Sequence, residues 1–388
     1  MTIKERALEK EKKQPEPISG NLGGTILGPT NPAREDENPD ILVPPRTDAG
    51  TLPNFKWSFA DSHMRLEDGG WARQTTIREL PSAKTIAGVN MRLKAGAVRE
   101  MHWHAEAEWS FMLKGKARIT VVDQEGRAFQ DDVSEGDLWF FPAGIPHSIQ
   151  GIGDDGCEFL LAFDNGDFSE DSTFLLTDWL AHTPKEVLAK NFGVSQDAFA
   201  NIPKKELYIF QTKVPAPLAK DRVVGNGPVP LSFSHRLLKQ EPIRTKGGQV
   251  RIVDSSNFPA SKTIAAALVE IEPGGMRELH WHPNGDEWQF YISGQARMTV
   301  FGSEGLARTF NYQAGDVGVV PFPMAHYVEN IGNTTLRFLE IFRSDHFADV
   351  SLAKWLAFTP HELVRAHLNI DESVLSKIPK QMTPVVPS

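Results

Sequence analysis

Eight residues of this chain have the types and spacing of metal ligands: His102, His104, Glu108 and His147, and again His280, His282, Glu287 and His326. Two histidines separated by one residue share a face if their segment is a strand, because side chains alternate along it. Trp103 and Trp281, lying between them, then point the other way. Glu108 follows closely enough to return to the same point once the strand turns at Ala105-Glu106-Ala107, and Glu287 stands likewise in the later copy. The third histidine comes much later, in Phe141-Pro-Ala-Gly-Ile-Pro-His147 and Pro321-Phe-Pro-Met-Ala-His326. Three imidazoles and a carboxylate leave two positions of an octahedral shell open. Zinc favours closed tetrahedral geometry and does no redox chemistry, so Mn or Fe suits this donor set better.

Other charged residues stand near these ligands. Arg99 and Arg277 each precede the first histidine of a set by three positions. Odd spacing puts them outside the strand unless a bulge turns them inward. Turned inward, a guanidinium suits a carboxylate substrate. Glu340 interrupts the apolar stretch Arg337-Phe-Leu-Glu-Ile-Phe342, which points it towards a polar interior, and Leu161 holds the matching place in the first half. Glu170 lies in the polar stretch 164–173, where composition alone makes it a solvated charge.

The elements that must position these residues are short strands. From Trp57 onward, apolar alternations such as Ala117-Arg-Ile-Thr-Val-Val122 are punctuated by Gly and Asp turns, the texture of a sandwich or barrel. Helix signals come only late in each half. Thr183-Pro-Lys-Glu186 has the form of a capping box with Pro at the first helical position, and Thr359-Pro-His-Glu362 repeats it. The whole pattern is duplicated. His102 and His280 are 178 residues apart, Glu108 and Glu287, and His147 and His326, 179 apart. After Phe163 the offset drops to 176 (Trp179 and Trp355), so the first half carries three extra residues within 164–173. That polar, glycine-containing insertion is expected to form a lid over the first site. The expected organisation is an irregular arm over 1–50, a first domain over 51–213, a Pro/Gly-rich linker over 214–230 and a second domain over 231–388.

Composition excludes several classes. The chain has 388 residues, net charge −9, 40% hydrophobic and 23% charged residues, an ordinary balance for a globular protein of two domains. No basic run suggests nucleic acid, no apolar run reaches membrane-spanning length, and the charged N-terminus resembles neither a signal peptide nor an anchor. The cytoplasm is the default location. The single cysteine, Cys157, excludes an intrachain disulfide and reads as a small buried residue.

Both halves resemble the cupin motifs. Residues 96–115 and 274–294 fit Gly-X5-His-X-His-X3or4-Glu-X6-Gly, and 136–147 and 315–326 fit the second motif, with Gly151 and Pro323 as departures that remove no ligand. Beyond the arm, the chain is similar to the bicupin oxalate decarboxylases, including Arg-Glu-X-His-Trp-His in both halves. Their lid reads Ser-Glu-Asn-Ser-Thr; here it is Ser169-Glu-Asp-Ser-Thr173, so Asp171 adds a charge. The resemblance implies a mainly β protein of two tandem cupin (double-stranded β-helix, or jelly-roll) barrels with trailing helices, two Mn per chain, dioxygen as co-catalyst, and a homo-oligomer, trimer or hexamer. It implies decarboxylation of oxalate to formate and CO2, mainly at the first site, with Arg99 holding substrate, Glu170 moving the proton and Thr173 orienting Arg99. The second site, with Arg277 and Glu340, would be structural or auxiliary. An oxalate oxidase using the same metal site, or a non-enzymatic bicupin for storage or binding, are the alternatives.

Overall fold

The computed structural model describes residues 27–42, 44–381 and 383–388. Residues 1–26, which include the N-terminal stretch read above as neither signal nor anchor, lie outside them. The described part of the arm forms two helical turns, Pro32–Asp36 and Pro39–Leu42.

Two barrels follow, each made of two antiparallel sheets. In the first, the long strand Glu108–Val122 serves both sheets. Its first part pairs with Cys157–Phe163 and Leu138–Phe141, its second with Ala128–Ser134 and His147–Gly151. Gly115 marks the change of partners. Its φ of +80° is left-handed, and a Cβ there would sit 2.1 Å from the Gly156 carbonyl oxygen. The second barrel divides the same path at Gly294 into Glu287–Ser293 and Gln295–Phe301.

Each barrel borrows a strand from the chain segment preceding the other. Lys56–Ser58 pairs with Asp316–Val320 of the second barrel, and Lys56 Nζ lies 3.1 Å from the buried Asp316 carboxylate. Conversely, Ser234–His235 pairs with Leu138–Phe141 of the first barrel, where Arg236 reaches Asp131 at 2.7 Å. Residues 214–230 run along the first barrel, where the buried Arg118 binds the Ala216 carbonyl (2.9 Å) and Asp221 (2.6 Å).

The barrels meet through apolar side chains. Trp109, Leu160 and Val89 of the first join Trp288, Val317, Leu339 and Ile341 of the second in one core cluster. Trp288 packs flush on Gly88, where an added Cβ would come within 2.4 Å of the indole.

The two expected capping boxes do not form. Pro184 and Pro360 are themselves the N-caps of helices Lys185–Phe192 and His361–Leu368. The hydroxyls of Thr183 and Thr359 instead donate back to the Trp179 and Trp355 carbonyls (2.8 and 2.7 Å). The preceding helix ends so close by that a carbonyl of its last turn takes the hydroxyl first.

Candidate active site and metal centres

Both ligand sets converge inside their barrels. In each set all four side chains are buried and offer atoms within 4.8 Å of one another. Strand pairing does part of this directly: His102 lies opposite His147, and His280 opposite His326. Each imidazole is turned by a hydrogen bond from Nδ1 to a backbone carbonyl. His102 uses Glu100 (2.6 Å), His104 uses Glu106 (2.6 Å) and His147 uses Ile145 (2.8 Å). His280 uses Glu278 (2.6 Å), His282 uses Ala348 (2.8 Å) and His326 uses Met324 (3.3 Å). A proton fixed on Nδ1 leaves Nε2 bare and aimed at the centre.

The centres fit a metal ion on their own chemistry. Nε2 of His147, His280, His282 and His326, and Oε2 of Glu287, are buried with no hydrogen-bond partner of sound geometry among the described residues. Such atoms are costly to bury unless an ion satisfies them. Burial, aided by the charge of Arg99, pushes His102 well below its ordinary pKa. Burial and Arg277 do the same to His280, and burial lowers His147. Burial works to raise Glu108, but the His104 and His147 imidazoles beside it, 3.4 and 3.5 Å away, outweigh it and hold the carboxyl well below the usual range. Imidazole nitrogens gathered around a carboxylate are the donor set of a divalent ion. These are two metal-binding sites, and His3Glu ligation fits two Mn per chain.

The carboxylate ligands are held differently. Glu108 Oε1 accepts from Trp139 Nε1 and the Ser110 hydroxyl (both 3.1 Å). Glu287 Oε1 accepts from Gln289 Nε2 at 2.8 Å, and Gln289 is held in turn by the Tyr291 hydroxyl at 2.7 Å.

Arg99 does face inward, and a bulge is the reason. Between Arg99 and His102 the strand Val98–Trp103 spends three steps where its partner, from Ile149 to His147, spends two. The same one-residue excess separates Arg277 from His280. Both guanidiniums are buried, at 1% and 0% exposure. Trp103 and Trp281 lie outside, packed on Trp179 and Trp355 respectively at ring distances of 5.5 and 5.6 Å.

The surroundings of the two arginines differ. Arg277 is saturated: Nε binds Glu340 (3.0 Å), Nη2 binds Asp349 (2.7 Å) and Nη1 binds the Pro384 carbonyl (3.3 Å). Burial opposes its charge, yet the two carboxylates hold its pKa above the ordinary value. Burial raises Glu340, against the pull of Arg277. Among the described residues Arg99 instead has one hydrogen-bonded side-chain partner, Glu170, at 2.9 Å from Nη2, and its buried Nη1 makes no hydrogen bond.

Glu170 is therefore not a solvated charge. It sits at 8% exposure in the turn Glu170–Ser172, where Ser169 accepts from the Asp171 N–H. Its Oε2 accepts from both Arg99 and the Tyr208 hydroxyl (2.9 Å each), and its N–H donates to Gln74 (3.2 Å). The Thr173 hydroxyl is buried and bonded neither to Arg99 nor to any other group among the described residues.

Sequence reasoning missed Tyr208 and Asp349. Extending the offset of 176 through the chain ends would have found them, since it matches Tyr208 with Pro384 and Thr173 with Asp349. It also missed Glu100, whose buried carboxylate accepts from the N–H groups of Thr177, Leu207 and Tyr208 (2.7–2.9 Å) and so fixes the chain around Tyr208.

Comparison with known proteins agrees with this geometry. The cupin family model matches residues 60–198 and 235–375. Oxalate decarboxylase of Bacillus subtilis is 60% identical over 98% of this chain and 98% of its own length. A probable oxalate decarboxylase of Arthroderma benhamiae is 42% identical over 96% and 93%. A solved structure concerned with the Mn(II) centres of the Bacillus subtilis enzyme superposes with a TM-score of 0.95 at 60% identity, covering 97% of this chain and all of that one.

Proposed function

This chain belongs to the bicupin oxalate decarboxylases, and from that membership we propose that it converts oxalate to formate and CO2 with dioxygen as co-catalyst, mainly at the first site. The observation that carries the choice of site is the unequal engagement of the two arginines. Arg99 has a free buried Nη1 and shares Nη2 only with a lid residue, whereas every arm of Arg277 is taken.

His102, His104, Glu108 and His147 would hold Mn, which when bound supplies a Lewis-acidic, redox-active centre with open positions for a small anion. Arg99 would take a carboxylate of the substrate through Nη1, a charge-assisted contact strengthened by burial. Glu170, already on Arg99, would receive the proton of the monoprotonated substrate as the carbon–carbon bond weakens. After CO2 leaves, the same carboxyl would return that proton to the remaining carbon, so formate forms with no net change of oxidation. Thr173 would orient Arg99 in a further closed arrangement of the lid. The second set, with Arg277 and Glu340, would be structural or auxiliary. Exposed Phe174, Trp179, Trp355 and Phe358 support assembly into a trimer or a hexamer of paired trimers.

Glu170→Ala tests this. Formate production should fall by about 10²–10⁴-fold with metal content unchanged. Oxalate oxidation should persist, two electrons passing to dioxygen to give two CO2 and hydrogen peroxide. Formate at the undiminished rate, together with loss of turnover in folded Glu340→Ala, would move the reaction to the second site.

A further inference from the structure

Outside the lid, one cation reaches both Tyr208, which holds Glu170, and Asp171, which follows it in the chain. Arg65, on the strand Met64–Glu67, binds Glu67 through Nε (2.8 Å) and Glu206 through Nη2 (2.7 Å), and its Nη1 lies 3.8 Å from Asp171 of the lid. Its guanidinium also lies over the Tyr208 ring, 3.6 Å from the centroid, while Arg99 lies over the same ring at 4.3 Å. Tyr208 is fixed in a left-handed backbone conformation, φ 54°, and donates its hydroxyl to Glu170. Burial and then the Glu170 charge raise the Tyr208 pKa well above its ordinary value, so the phenol keeps its proton as a donor.

Among the described residues the second half has no equivalent. Ile243 pairs with Val250 as Arg65 pairs with Ala72, and Pro384 stands at the place of Tyr208. Asp171 belongs to the stretch that the first half alone lengthens. A cavity of about 170 Å³ bordered by Arg65, Gln74, Glu170, Asp171 and Tyr208 gives the lid room to shift.

We propose that Arg65 is a positioning residue for the reaction, a salt-sensitive latch that keeps Glu170 on Arg99 by gripping Asp171 and backing Tyr208. This rests on the assignment of Glu170 as proton carrier. The inner pair is dry, with Arg99 at 1% and Glu170 at 8% exposure, so dissolved ions screen it little. The outer pairs are wet, Arg65 being 28%, Glu206 43% and Asp171 75% exposed, and they weaken as salt rises. Salt should therefore loosen the lid through Arg65 without breaking the inner contact first. A loosened Glu170 delivers its proton less often, and oxalate is diverted to CO2 and hydrogen peroxide.

The test measures formate and hydrogen peroxide from oxalate at low and at ~0.5 M salt, with Mn content and melting temperature followed in parallel. Arg65→Gln should lower formate production by roughly 3- to 10-fold at low salt and raise the peroxide share. Arg65→Lys, keeping the charge but not the flat stacking group, should recover part of the loss. High salt should move the unmodified protein towards Arg65→Gln and leave that variant nearly unchanged. Should Arg65→Gln fold poorly, Glu206→Gln, which removes an exposed partner of Arg65, is expected to shift the products in the same direction with a smaller salt response. If Glu170→Ala loses formate while Arg65→Gln and Glu206→Gln keep the original products and salt response, this role for Arg65 is overturned and the assignment of Glu170 stands. If Glu170→Ala makes formate at the full rate, both are overturned.

Discussion

Asp349 Oδ2 lies 2.7 Å from Nη2 of Arg277, at the position where the first half has Thr173. A hydroxyl can share a guanidinium with an incoming anion, whereas a buried carboxylate competes with it. Thr173→Asp should therefore tie down Arg99 as Arg277 is tied down. Oxalate turnover is expected to drop by about 10²-fold, the scale of misplacing a positioning group, while Mn content holds. Steady-state formate assays with metal analysis check this, and full activity in the variant would show that the difference at this position does not separate the two sites.

Removal of a ligand should be local. His147→Ala deletes one imidazole of the first set and leaves the second intact, so metal analysis should give roughly half the original load. Formate production should disappear with it. An unchanged metal load with full turnover would remove His147 from the centre.

Glu340 sets the balance of charge in the second barrel. It and Arg277 are both fully buried, 3.0 Å apart. Glu340→Ala leaves the guanidinium with Asp349 as its only carboxylate, and breaking a buried pair from one side costs about 3–5 kcal/mol. Thermal unfolding should register that loss, while formate made per folded molecule falls far less than in Glu170→Ala.

Burial pushes the Cys157 thiol up to about 12. At pH 8 its thiolate fraction in the folded protein is then about 10⁻⁴, against roughly one quarter for an ordinary thiol. A thiol reagent should find no reactive group at pH 8 until the protein is unfolded. Because the folded value is the higher one, the protonated thiol contributes stability below the ordinary thiol range. That contribution is lost as pH rises from the ordinary range through about 12.

The ligands were legible because their signal is local: two histidines one residue apart, a carboxylate a few positions on, and the whole set repeated. Arg99 was only half legible. Its inward aim depends on one extra residue in a bulge, and Val98-Arg-Glu-Met-His does not reveal where a strand slips. Glu170 read as solvated because the groups that bury it, Arg99 and Tyr208, come 71 and 38 residues away in the chain. The threonines at 183 and 359 had the right neighbours for capping boxes, but a competing acceptor in the preceding helix won them. The strand Lys56–Ser58 was hidden for a similar reason, since its partner lies some 260 residues later.

That strand exchange bears on how the duplication can be taken apart. A chain cut between residues 214 and 230 would not yield two self-sufficient barrels. The leading fragment would carry Lys56–Ser58 with no sheet to join and would lose the Ser234–His235 edge, and the trailing fragment would suffer the converse. Trp288 would also lose its seat on Gly88 and face water. Heating the intact chain should accordingly give one calorimetric transition in place of two, and the fragments should regain structure only when mixed.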